Sequence, residues 1–378
     1  MKNFCRIDLA FKAREPILAF GSQTKNTVCF IEKDKAFVSS VKADLDNPQD
    51  RLSFEEEAKK LIKKHPKILA YDLHPGYYSS EYAVAFSARK YVLSPIQHHH
   101  AHIASCMAEN FFTNQRVIGV AFDGTGLGVD GKIWGGEFLV GDYSGFSRRA
   151  HVREVLLLGG ESAVLEPARL VFYWLRIMKQ GGISYIMRKI GYRKVKYLEE
   201  LYQKHIYSYP ASSMGRLFDA VAALIMRCSF SRFEGELPMR LERLALAYQA
   251  GFKEDKRPRY KLNIIRGRCY IIDPVSLFKA LLIDIKKGVP HEEMAYYFHQ
   301  AVALLIKNMS IILREETGIR KVVLSGGVFQ NRLLFSMAEA LLRGNGFSVY
   351  SHNKLSASDS SLSLGQAAVA NFRGKICV

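Results

Sequence analysis

The stretch RVIGVAFDGTGLGVDGKIWGGEFLVGDY, at residues 116–143, places two apolar runs around a polar turn that is rich in glycine. This pattern predicts two strands joined by a turn, because β-branched and aromatic residues favour strands and glycine interrupts them. A similar stretch, PILAFGSQTKNTVCFIEKDKAFVSSV at residues 16–41, predicts a hairpin or a three-strand meander. Residues 321–342 predict a buried strand, a Gly-Gly turn and a helix.

Three glycine-containing turns therefore lie at predicted strand ends: Gly21 to Asn26, Gly124 to Gly128, and Gly326 with Gly327. Backbone amides that are exposed in such turns bind anions, and the start of a helix adds a partial positive charge. We expect phosphate binding at these turns, with Gly124 and Gly126 contributing from the central one.

The alternation of strands with helical patterns, at residues 50–66, 213–227 and 292–317, predicts an α/β protein. Two phosphate-binding hairpins followed by a Gly-Gly loop resemble the layout of the actin-like ATPases. That resemblance implies a two-lobed actin-like (ASKHA) fold, with mixed sheets and a cleft for nucleotide and metal between the lobes.

The length of 378 residues suits about two domains. We expect an N-terminal lobe with the metal-binding histidines at residues 1–145 and a C-terminal lobe with the nucleotide-binding loops at residues 146–378. The last helix, within residues 360–378, is expected to pack back on the first lobe.

The composition, 48% hydrophobic and 24% charged, is typical of a soluble globular protein. The sequence has no apolar run long enough to cross a membrane, and MKNFCRIDLAFK at its start carries charges where a signal peptide needs an apolar stretch. We therefore expect a cytoplasmic protein without a membrane partner. The six scattered cysteines form no C-x-x-C pair, which argues against zinc fingers and a disulfide framework. Cys106 is either a soft metal ligand or, as we prefer, a small buried side chain.

The net charge of +18 is concentrated in two stretches, at residues 187–197 and 253–270, where tyrosines alternate with basic side chains. Such stretches form either a nucleic-acid groove or a solvated face that can dock an acidic partner. We favour the solvated face, and we do not expect nucleic acid as a partner.

Four of the eleven histidines lie in PIQHHHAHI, at residues 95–103. Pro95 suits the first turn of a helix, and His98 and His102 would then share one helical face and could bind one ion. The spacing is that of H-E-x-x-H zinc sites, but His99 replaces the glutamate and the general base is missing. A carboxylate must complete the ligand set, and Asp123 and Asp359 are the candidates. His99 and His100 would form a hydrogen-bonded wall.

Long strings resemble one family in order along the chain. They are KNTVCF, DLHPGYYSSEYA, QHHHAHIASCMAEN, FDGTGLGVDGKIWGGEFLVGD, EPARL, SSMGRLFDAVAAL, LSGGVFQNRLL and SLGQAA. The family is HypF, the carbamoyltransferase of [NiFe]-hydrogenase maturation, and the resemblance to its carboxyl-terminal actin-like domain spans residues 16–371. The acylphosphatase, zinc-finger and YrdC-like parts of HypF have no counterpart in this sequence.

The resemblance implies a carbamoyltransferase. In the family, carbamoyl phosphate and ATP give carbamoyl adenylate in the YrdC-like domain. The actin-like domain then passes the carbamoyl group to the C-terminal cysteine of HypE, where the thiocarboxamide becomes a cyanide ligand of the nickel-iron centre. For this chain it implies a HypE-like acceptor protein, and a YrdC-like protein acting in trans to supply the adenylate.

The resemblance also implies roles for individual residues. His98, His102 and Asp359 correspond to ligands of a divalent metal ion, iron or zinc, with Asp123 beside the metal or the carbamoyl group. The implied contacts to ATP or carbamoyl adenylate come from the first phosphate loop, the nucleoside pocket and the Gly-Gly loop. In that order they are Lys25, Asn26 and Thr27; Gly215, Arg216, Asp219, Glu234 and Gly235; and Gly326, Gly327 and Asn331.

Two departures from the family pattern leave alternatives open. The family's N-D-G-G is Ser-Asp-Ser-Ser at residues 358–361, which we expect to stiffen the loop because serine resists positive φ. Residues 236–238, Glu-Leu-Pro, replace the common Gln-Ala-Ala and change the nucleoside contacts. The departures favour a non-catalytic scaffold as one alternative. A different acceptor gives two others, an O-carbamoyltransferase for a small hydroxyl compound and a tRNA-modifying relative, for which the net charge of +18 is the argument.

Overall fold

Strands and helices alternate along the residues that the computed structural model describes, which are 4–86, 90–179, 191–251 and 258–373. The strands of the first half are β1 (Cys5–Asp8), β2 (Ile17–Ala19), β3 (Thr24–Asn26), β4 (Cys29–Glu32), β5 (Lys35–Val38), β6 (Lys42–Asp44), β7 (Ile68–Asp72), β8 (Val92–Ile96), β9 (Val117–Leu127) and β10 (Ile133–Gly141). Those of the second half are β11 (Phe146–Val152), β12 (Val155–Leu158), β13 (Ser208–Ser213), β14 (Asn263–Ile265), β15 (Tyr270–Asp273), β16 (Lys321–Ser325) and β17 (Ser348–Tyr350).

The helices lie between these strands and after the last one. They are α1 (Pro48–Ile62), α2 (Tyr78–Phe86), α3 (His98–Glu109), α4 (Ser162–Leu165), α5 (Ala168–Ile177), α6 (Tyr192–Lys204), α7 (Met214–Met226), α8 (Glu236–Gly251), α9 (Val275–Lys287), α10 (His291–Thr317), α11 (Arg332–Gly344) and α12 (Leu362–Phe372). Short 3₁₀ turns at Gly327–Gln330 and Asp359–Ser361 precede α11 and α12.

The first sheet has the strand order β1-β5-β4-β2-β7-β8 and is mixed. Strands β1, β5, β4 and β2 pair antiparallel, whereas β2, β7 and β8 run parallel. Side chains alternate between its two faces. Ile17 and Ala19 pack with α3 and α12, whereas Leu18 and Phe20 pack on the other face with Phe54 of α1. The sheet is therefore covered by helices on both faces.

The second sheet is also mixed, with β14-β15-β11-β10-β9-β16-β17 as its main order and β13 and β12 attached at β10. Its largest core cluster joins the sheet to helices such as α5, α7 and α10 through Phe138, Trp174, Phe218 and Phe298. Two mixed sheets with helical covers confirm the predicted α/β two-lobed architecture. The hairpins, the Gly-Gly turn and the helices predicted at residues 50–66, 213–227 and 292–317 are all present.

The hairpin β9–β10 contains a bulge. Trp134 lies opposite Gly126 and Gly136 lies opposite Phe122, so three residues of β9, Asp123 to Thr125, oppose Gly135 alone. Bulges bend a strand and re-aim its side chains. This one turns Asp123 out of the ladder and into the cleft.

Helix α12 returns from the second sheet to the first, where it packs against α3, β2 and β7. A Cβ on Gly365 would lie 1.8 Å from the Ala101 carbonyl oxygen, so the two helix backbones touch at a glycine. The strands change sheet between Ile96 and Val117, so β9 and β10 belong to the second sheet. A sheet is not a domain, and the boundary between residues 145 and 146 stays a prediction.

The prediction that Pro95 begins a helix is wrong. Pro95 lies in β8, not in the first turn of a helix, and α3 begins at His98 after the cap residue Gln97. Strand β8 is at the edge of its sheet, where the missing N–H of a proline costs no ladder bond. Within the described ranges, no helix is long and apolar enough to span a membrane.

Candidate functional site

Four side chains meet in the cleft: His98, His102, Asp123 and Asp359. One donor atom of each lies within 4.8 Å of all the others. Asp123 Oδ2 is 3.3 Å from His98 Nε2 and 3.2 Å from His102 Nε2. Asp359 Oδ1 is 3.8 Å and 3.6 Å from the same two nitrogens. The structure thus brings together the four residues that the sequence proposed as one cluster.

Helix α3 presents the two histidines because of how it begins. The side chain of Gln97 accepts a hydrogen bond from the His100 amide and caps the helix. His98 and His102 follow one turn apart, with ring centroids separated by 5.1 Å. Both side chains are fully buried, so the helix delivers two imidazole donors from the interior of the protein.

Asp72, at the end of β7, supports the cluster from behind. Its Oδ2 lies 2.8 Å from His98 Nδ1, so Nδ1 donates a hydrogen bond to Asp72 and Nε2 faces the cluster, where an entering cation would displace its proton. On the other side, the Gly327 amide donates to Asp123 Oδ1 at 3.0 Å. Sequence reasoning missed Asp72. Its signal was a lone carboxylate at the end of the buried strand ILAYD.

The charges of the cluster stabilise one another in the ion-free protein. Burial lowers the pKa of His98, but the carboxylates of Asp72, Asp359 and Asp123 outweigh it, and the pKa lies well above its ordinary value. Burial raises the pKa of Asp123, but the two histidines outweigh it and hold the pKa well below its usual range. The site is thus an array of charges that a cation can enter by displacing protons.

The donor set fits a divalent cation. Two imidazole nitrogens and two carboxylate oxygens are the ligand types of zinc and non-haem iron sites, and a carboxylate behind a ligating histidine is the usual supporting group. Asp359 Oδ1 lies beyond hydrogen-bond distance of both histidines and yet points at them. That arrangement suits ligands gathered around an ion better than a hydrogen-bonded network.

The other members of the histidine segment lie outside the cluster. His99 Nδ1 contacts the Gln97 side chain, and His100 Nε2 lies 2.7 Å from the carbonyl oxygen of Asp142. Cys106 is fully buried in the core between α3 and the first sheet, where burial raises the pKa of its thiol well above the ordinary value. The structure therefore gives Cys106 the role of a buried side chain.

A cavity of about 610 Å³ adjoins the cluster, and Asp123 and Asp359 line it. Its walls come from distant parts of the chain, between Thr24 and Asp359. The proposed nucleotide-binding residues among its lining are Lys25, Gly124, Gly215, Arg216, Asp219, Glu234, Gly235, Gly327 and Asn331. The cluster and the cavity therefore form one continuous site.

Arg216 is the main buried cation of this cavity. Its Nη2 donates to Glu234 Oε1 at 2.8 Å, and its Nε lies 3.1 Å from Asp219 Oδ2. The geometry at Nε is too poor for a hydrogen bond, and Nη1 has no acceptor among the described residues. Burial raises the pKa of Asp219 to about 6, although the positive charge of Arg216 acts in the opposite direction. Arg216 thus keeps donor capacity for a ligand.

Four residues proposed for nucleotide contact lie beside the cavity but do not line it. Asn26 donates to the carbonyl oxygens of Phe20 and Ser22, and Thr27 pairs with Ser363 on α12. Gly126 gives space to the ring of His98, because a Cβ there would lie 2.6 Å from His98 Cδ2.

Gly326, the fourth, has φ +102 and packs against the backbone of Phe122. These four residues shape the loops around the cavity.

The amides of the Gly-Gly loop and of α11 are already engaged. Gly326 donates to the carbonyl oxygen of Ala357, and Glu242 Oε1 accepts from the amides of Arg332 and Leu333. Asn331 caps α11, and its Nδ2 bonds to His299 Nε2 at 2.8 Å. A phosphate group that used these amides would have to replace a protein acceptor.

The structure shows the backbone at both departures from the family pattern. Within the described residues, none of residues 358–361 has a positive φ, so serine is not strained there, and the expected stiffening of the loop stays a prediction. In the second departure, Glu236 bonds to Arg232, Leu237 is buried, and Pro238 lines the cavity. Pro238 is therefore the member of that segment that a nucleoside would meet.

The basic stretches are described only in part, since residues 187–190 and 253–257 lie outside the described ranges. In the remainder, Lys194 pairs with Glu166 and Arg259 pairs with Asp284. In each pair an acidic partner neutralises the basic side chain, and Asp284 is buried.

Comparison with known proteins gives consistent matches. The family described as "HypF Kae1-like domain" matches residues 12–109, and "Carbamoyltransferase, Kae1-like Domain, second subdomain" matches residues 119–366. "Carbamoyltransferase HypF" of Rhodobacter capsulatus is 34% identical over 95% of this chain and 47% of its own length. "Carbamoyltransferase HypF homolog" of Cupriavidus necator is 30% identical over 94% of this chain and 91% of its own length.

Two solved structures also match. The crystal structure of full-length HypF in the phosphate- and nucleotide-bound form has a TM-score of 0.88 and 37% identity, and it covers 97% of this chain and 56% of that one. The structure of T. kodakarensis HypF has a TM-score of 0.85 and 29% identity, over 98% of this chain and 49% of that one. The chain thus spans about half the length of the R. capsulatus relative and of these two structures.

Proposed function

Because the chain belongs to the HypF family, where it corresponds to the Kae1-like carbamoyltransferase domain, we propose that it transfers a carbamoyl group from carbamoyl adenylate to a thiol. One observation carries the proposal. The cluster of His98, His102, Asp123 and Asp359 opens directly into a cavity of about 610 Å³ that is lined by Arg216 and by residues from distant parts of the chain. Such a site can hold an activated acyl phosphate with its carbonyl at the cluster.

The lining of the cavity suits the nucleotide part of carbamoyl adenylate. It offers the buried guanidinium of Arg216 and the side chain of Lys25 to a phosphate, and Pro238, Met239 and Val328 as apolar walls for a base. A HypF relative of 37% identity has been solved in a phosphate- and nucleotide-bound form. We infer that the adenylate part of the donor occupies this cavity.

The cluster residues would hold a divalent cation, iron or zinc, which when bound polarises a carbonyl group and stabilises negative charge on it. Asp72 keeps the Nδ1 proton of His98 in place, so that His98 Nε2 stays free for the cation. The burial of both histidines excludes water from that side of the site. These residues bind and orient, and none of them needs to act as a strong base.

In the transfer step, the acceptor sulfur attacks the carbamoyl carbon and the bond from that carbon to the phosphate oxygen breaks. AMP leaves with the electron pair of that bond, and the thiol proton passes to solvent. Holding two reactants in place contributes about 7–11 kcal/mol to such a reaction. Arg216 lies where it can stabilise the departing phosphate.

The acceptor thiol comes from a partner on this proposal. Of the cysteines within the described ranges, Cys29 and Cys106 are buried and burial raises the pKa of each, and neither lines the cavity. A HypE-like protein with a C-terminal cysteine is the acceptor that the family implies. A separate YrdC-like protein would form the adenylate from ATP and carbamoyl phosphate.

The test is reconstitution. The chain is mixed with ATP, carbamoyl phosphate, a HypE-like protein and a YrdC-like protein, and the acceptor is analysed by mass spectrometry for a carbamoyl adduct on its C-terminal cysteine. We expect the adduct with the wild-type chain and its loss with His98→Ala. Lys60→Ala, at an exposed residue of α1, serves as the control and should retain transfer. Absence of the adduct with the wild-type chain, under conditions where the adenylate is detected, would contradict the proposal.

A further inference from the structure

The ligands of the cluster are not held equally well. Asp123 accepts the Gly327 amide, and His98 contacts Asp72. The Asp359 carboxylate, by contrast, has no partner among the described residues apart from the two histidines, and its side chain is 19% exposed. The position of this ligand therefore depends on the backbone that carries it.

That backbone is fixed by Glu109, the last residue of α3. Glu109 Oε1 accepts the amide of Asn353 at 2.8 Å, the amide of Lys354, and the amide of Leu355 at 3.0 Å. Its Oε2 lies 2.7 Å from His352 Nδ1. Three successive amides that converge on one oxygen form an anion-binding nest, and here a side chain of the protein fills it.

Burial increases the energetic importance of these contacts, because water cannot replace a lost partner. The side chains of Glu109 and His352 are 1% and 3% exposed. Burial raises the pKa of the Glu109 carboxyl, but His352 and the backbone amides outweigh it, and the pKa lies below its usual value. Glu109 is therefore a buried carboxylate with four donors, and removing it would leave those donors unpaired.

Further contacts carry the same segment onto the site. His352 Nε2 lies 2.9 Å from Ser325 Oγ, Asn110 Nδ2 donates to the carbonyl oxygen of Ser351, and the Gly326 amide donates to that of Ala357. Residues 351–357 are thus attached to the end of α3 and to β16. Asp359 follows two residues later.

Ser325, His352 and Glu109 are arranged in the order of a serine, histidine and acid triad. Ser325 is fully buried and does not line the cavity, so a substrate has no access to its hydroxyl. The arrangement therefore serves to attach the segment and not to supply a nucleophile.

We propose that Glu109 is a positioning residue of the cation site, which holds residues 352–355, and through them Asp359, against the helix that carries His98 and His102. One helix then sets three of the four ligands, two with its first turns and one through its last residue. The inference rests on the proposed cation site.

The test measures binding of Co²⁺ alone to the purified chain, by titration and by the visible absorption band of the bound ion. We expect Glu109→Ala to weaken binding about 10- to 100-fold and to change the band, as loss of a group behind a metal ligand does. Glu109→Gln, which keeps an oxygen for the amides, should weaken it less, and it replaces the alanine variant if that one does not fold. Glu56→Ala removes an exposed glutamate of α1 and serves as the matched control.

A double-mutant cycle separates positioning from general damage. If Glu109 acts through Asp359, the double variant Glu109→Ala, Asp359→Ala should bind Co²⁺ no more weakly than Asp359→Ala alone. His352→Asn, which keeps an N–H near the Nδ1 position, should retain more affinity than His352→Ala.

Wild-type affinity in Glu109→Ala, or effects that add in the double variant, would overturn the inference while leaving the cation site intact. A wild-type chain that does not bind Co²⁺ would instead overturn the cation site itself.

Discussion

The cation cluster and the cavity beside it share two walls, Asp123 and Asp359, but they differ in how their polar groups are satisfied. In the cluster, the donors face one another at 3.2–3.8 Å and are supported from behind by Asp72 and the Gly327 amide. In the cavity, Arg216 Nη1 has no acceptor among the described residues, and the amides around Asn331 are already occupied by protein acceptors.

The cluster is therefore assembled before its ion arrives. In the cavity, by contrast, backbone amides must exchange a protein acceptor for the ligand. An ion that enters the cluster displaces the protons of the histidines, and the ligand atoms are already close together. A nucleotide that enters the cavity can accept a hydrogen bond from Arg216 at once. To bind the amides at the start of α11, it has to compete with the side chains of Glu242 and Asn331.

The pKa values of histidines in the two regions are also shifted in opposite directions. Carboxylates raise the pKa of His98 in the cluster, although burial opposes them. Burial lowers the pKa of His299, behind the cavity, to about 4. His299 Nδ1 lies 2.8 Å from the carbonyl oxygen of Ala295, so it carries the proton and Nε2 accepts from Asn331. A neutral imidazole thus holds Asn331 at the cavity wall.

The largest effect is expected from His102→Ala. It removes an imidazole donor from the cluster and leaves Asp123 without one of its two histidines, so Zn²⁺ affinity should fall by about 100-fold or more. Nucleotide affinity should change little, because His102 does not line the cavity.

Isothermal titration calorimetry with Zn²⁺ and with ATP measures both affinities. His100→Gln, on the same helix but outside the cluster, is the control. Equal losses of Zn²⁺ and ATP binding in His102→Ala would show that the two regions are not separable.

An intermediate effect is expected from pH, through His299. Its pKa is about 4 in the folded protein and about 6.5 in the unfolded chain, so the unfolded state binds more protons between these values. The stabilisation from neutral His299 is complete above pH 6.5 and is lost as the pH falls towards 4. The loss amounts to about 3 kcal/mol at most.

Urea unfolding of the wild type and of His299→Gln, compared at pH 7 and at pH 4.5, isolates this contribution because glutamine does not titrate. The free energy of unfolding of the wild type should fall more steeply than that of the variant. Parallel pH dependences would contradict a neutral His299 behind Asn331.

The smallest effect is expected from Ser360→Gly, which restores part of the family's glycine pair. Since Ser360 needs no positive φ, the added freedom mainly favours the unfolded chain and should cost roughly 0.4–1 kcal/mol of stability. Co²⁺ affinity should stay close to that of the wild type. A clear gain in affinity would mean that the serines strain the loop, and that the cluster is less completely assembled than its contacts indicate.

Local patterns were enough to predict much of the fold and the centre of the site. The hairpin at residues 116–143 and the spacing of His98 and His102 are set by neighbours in the sequence, and both are present in the structure. The bulge that turns Asp123 into the cleft has no such signal, because it depends on the pairing with β10.

Residues that act across long separations could not be predicted in this way. Asp72 contacts His98 from 26 residues away, and Glu109 contacts His352 from 243 residues away. A lone carboxylate at an element end has many uses, and only the folded chain shows which one applies. Pro95 was misjudged for a related reason, since edge strands and first helical turns tolerate proline equally well.

The contact between Gly365 and Ala101 concerns the order in which the site can form during synthesis. Helix α3 with its two histidines is made early, but its neighbour α12 and the ligand Asp359 are among the last described residues of the chain. A growing polypeptide would therefore carry an incomplete ligand set until these residues leave the ribosome. On the proposed cation site, the full set of four ligands is therefore assembled only once α12 has packed on α3.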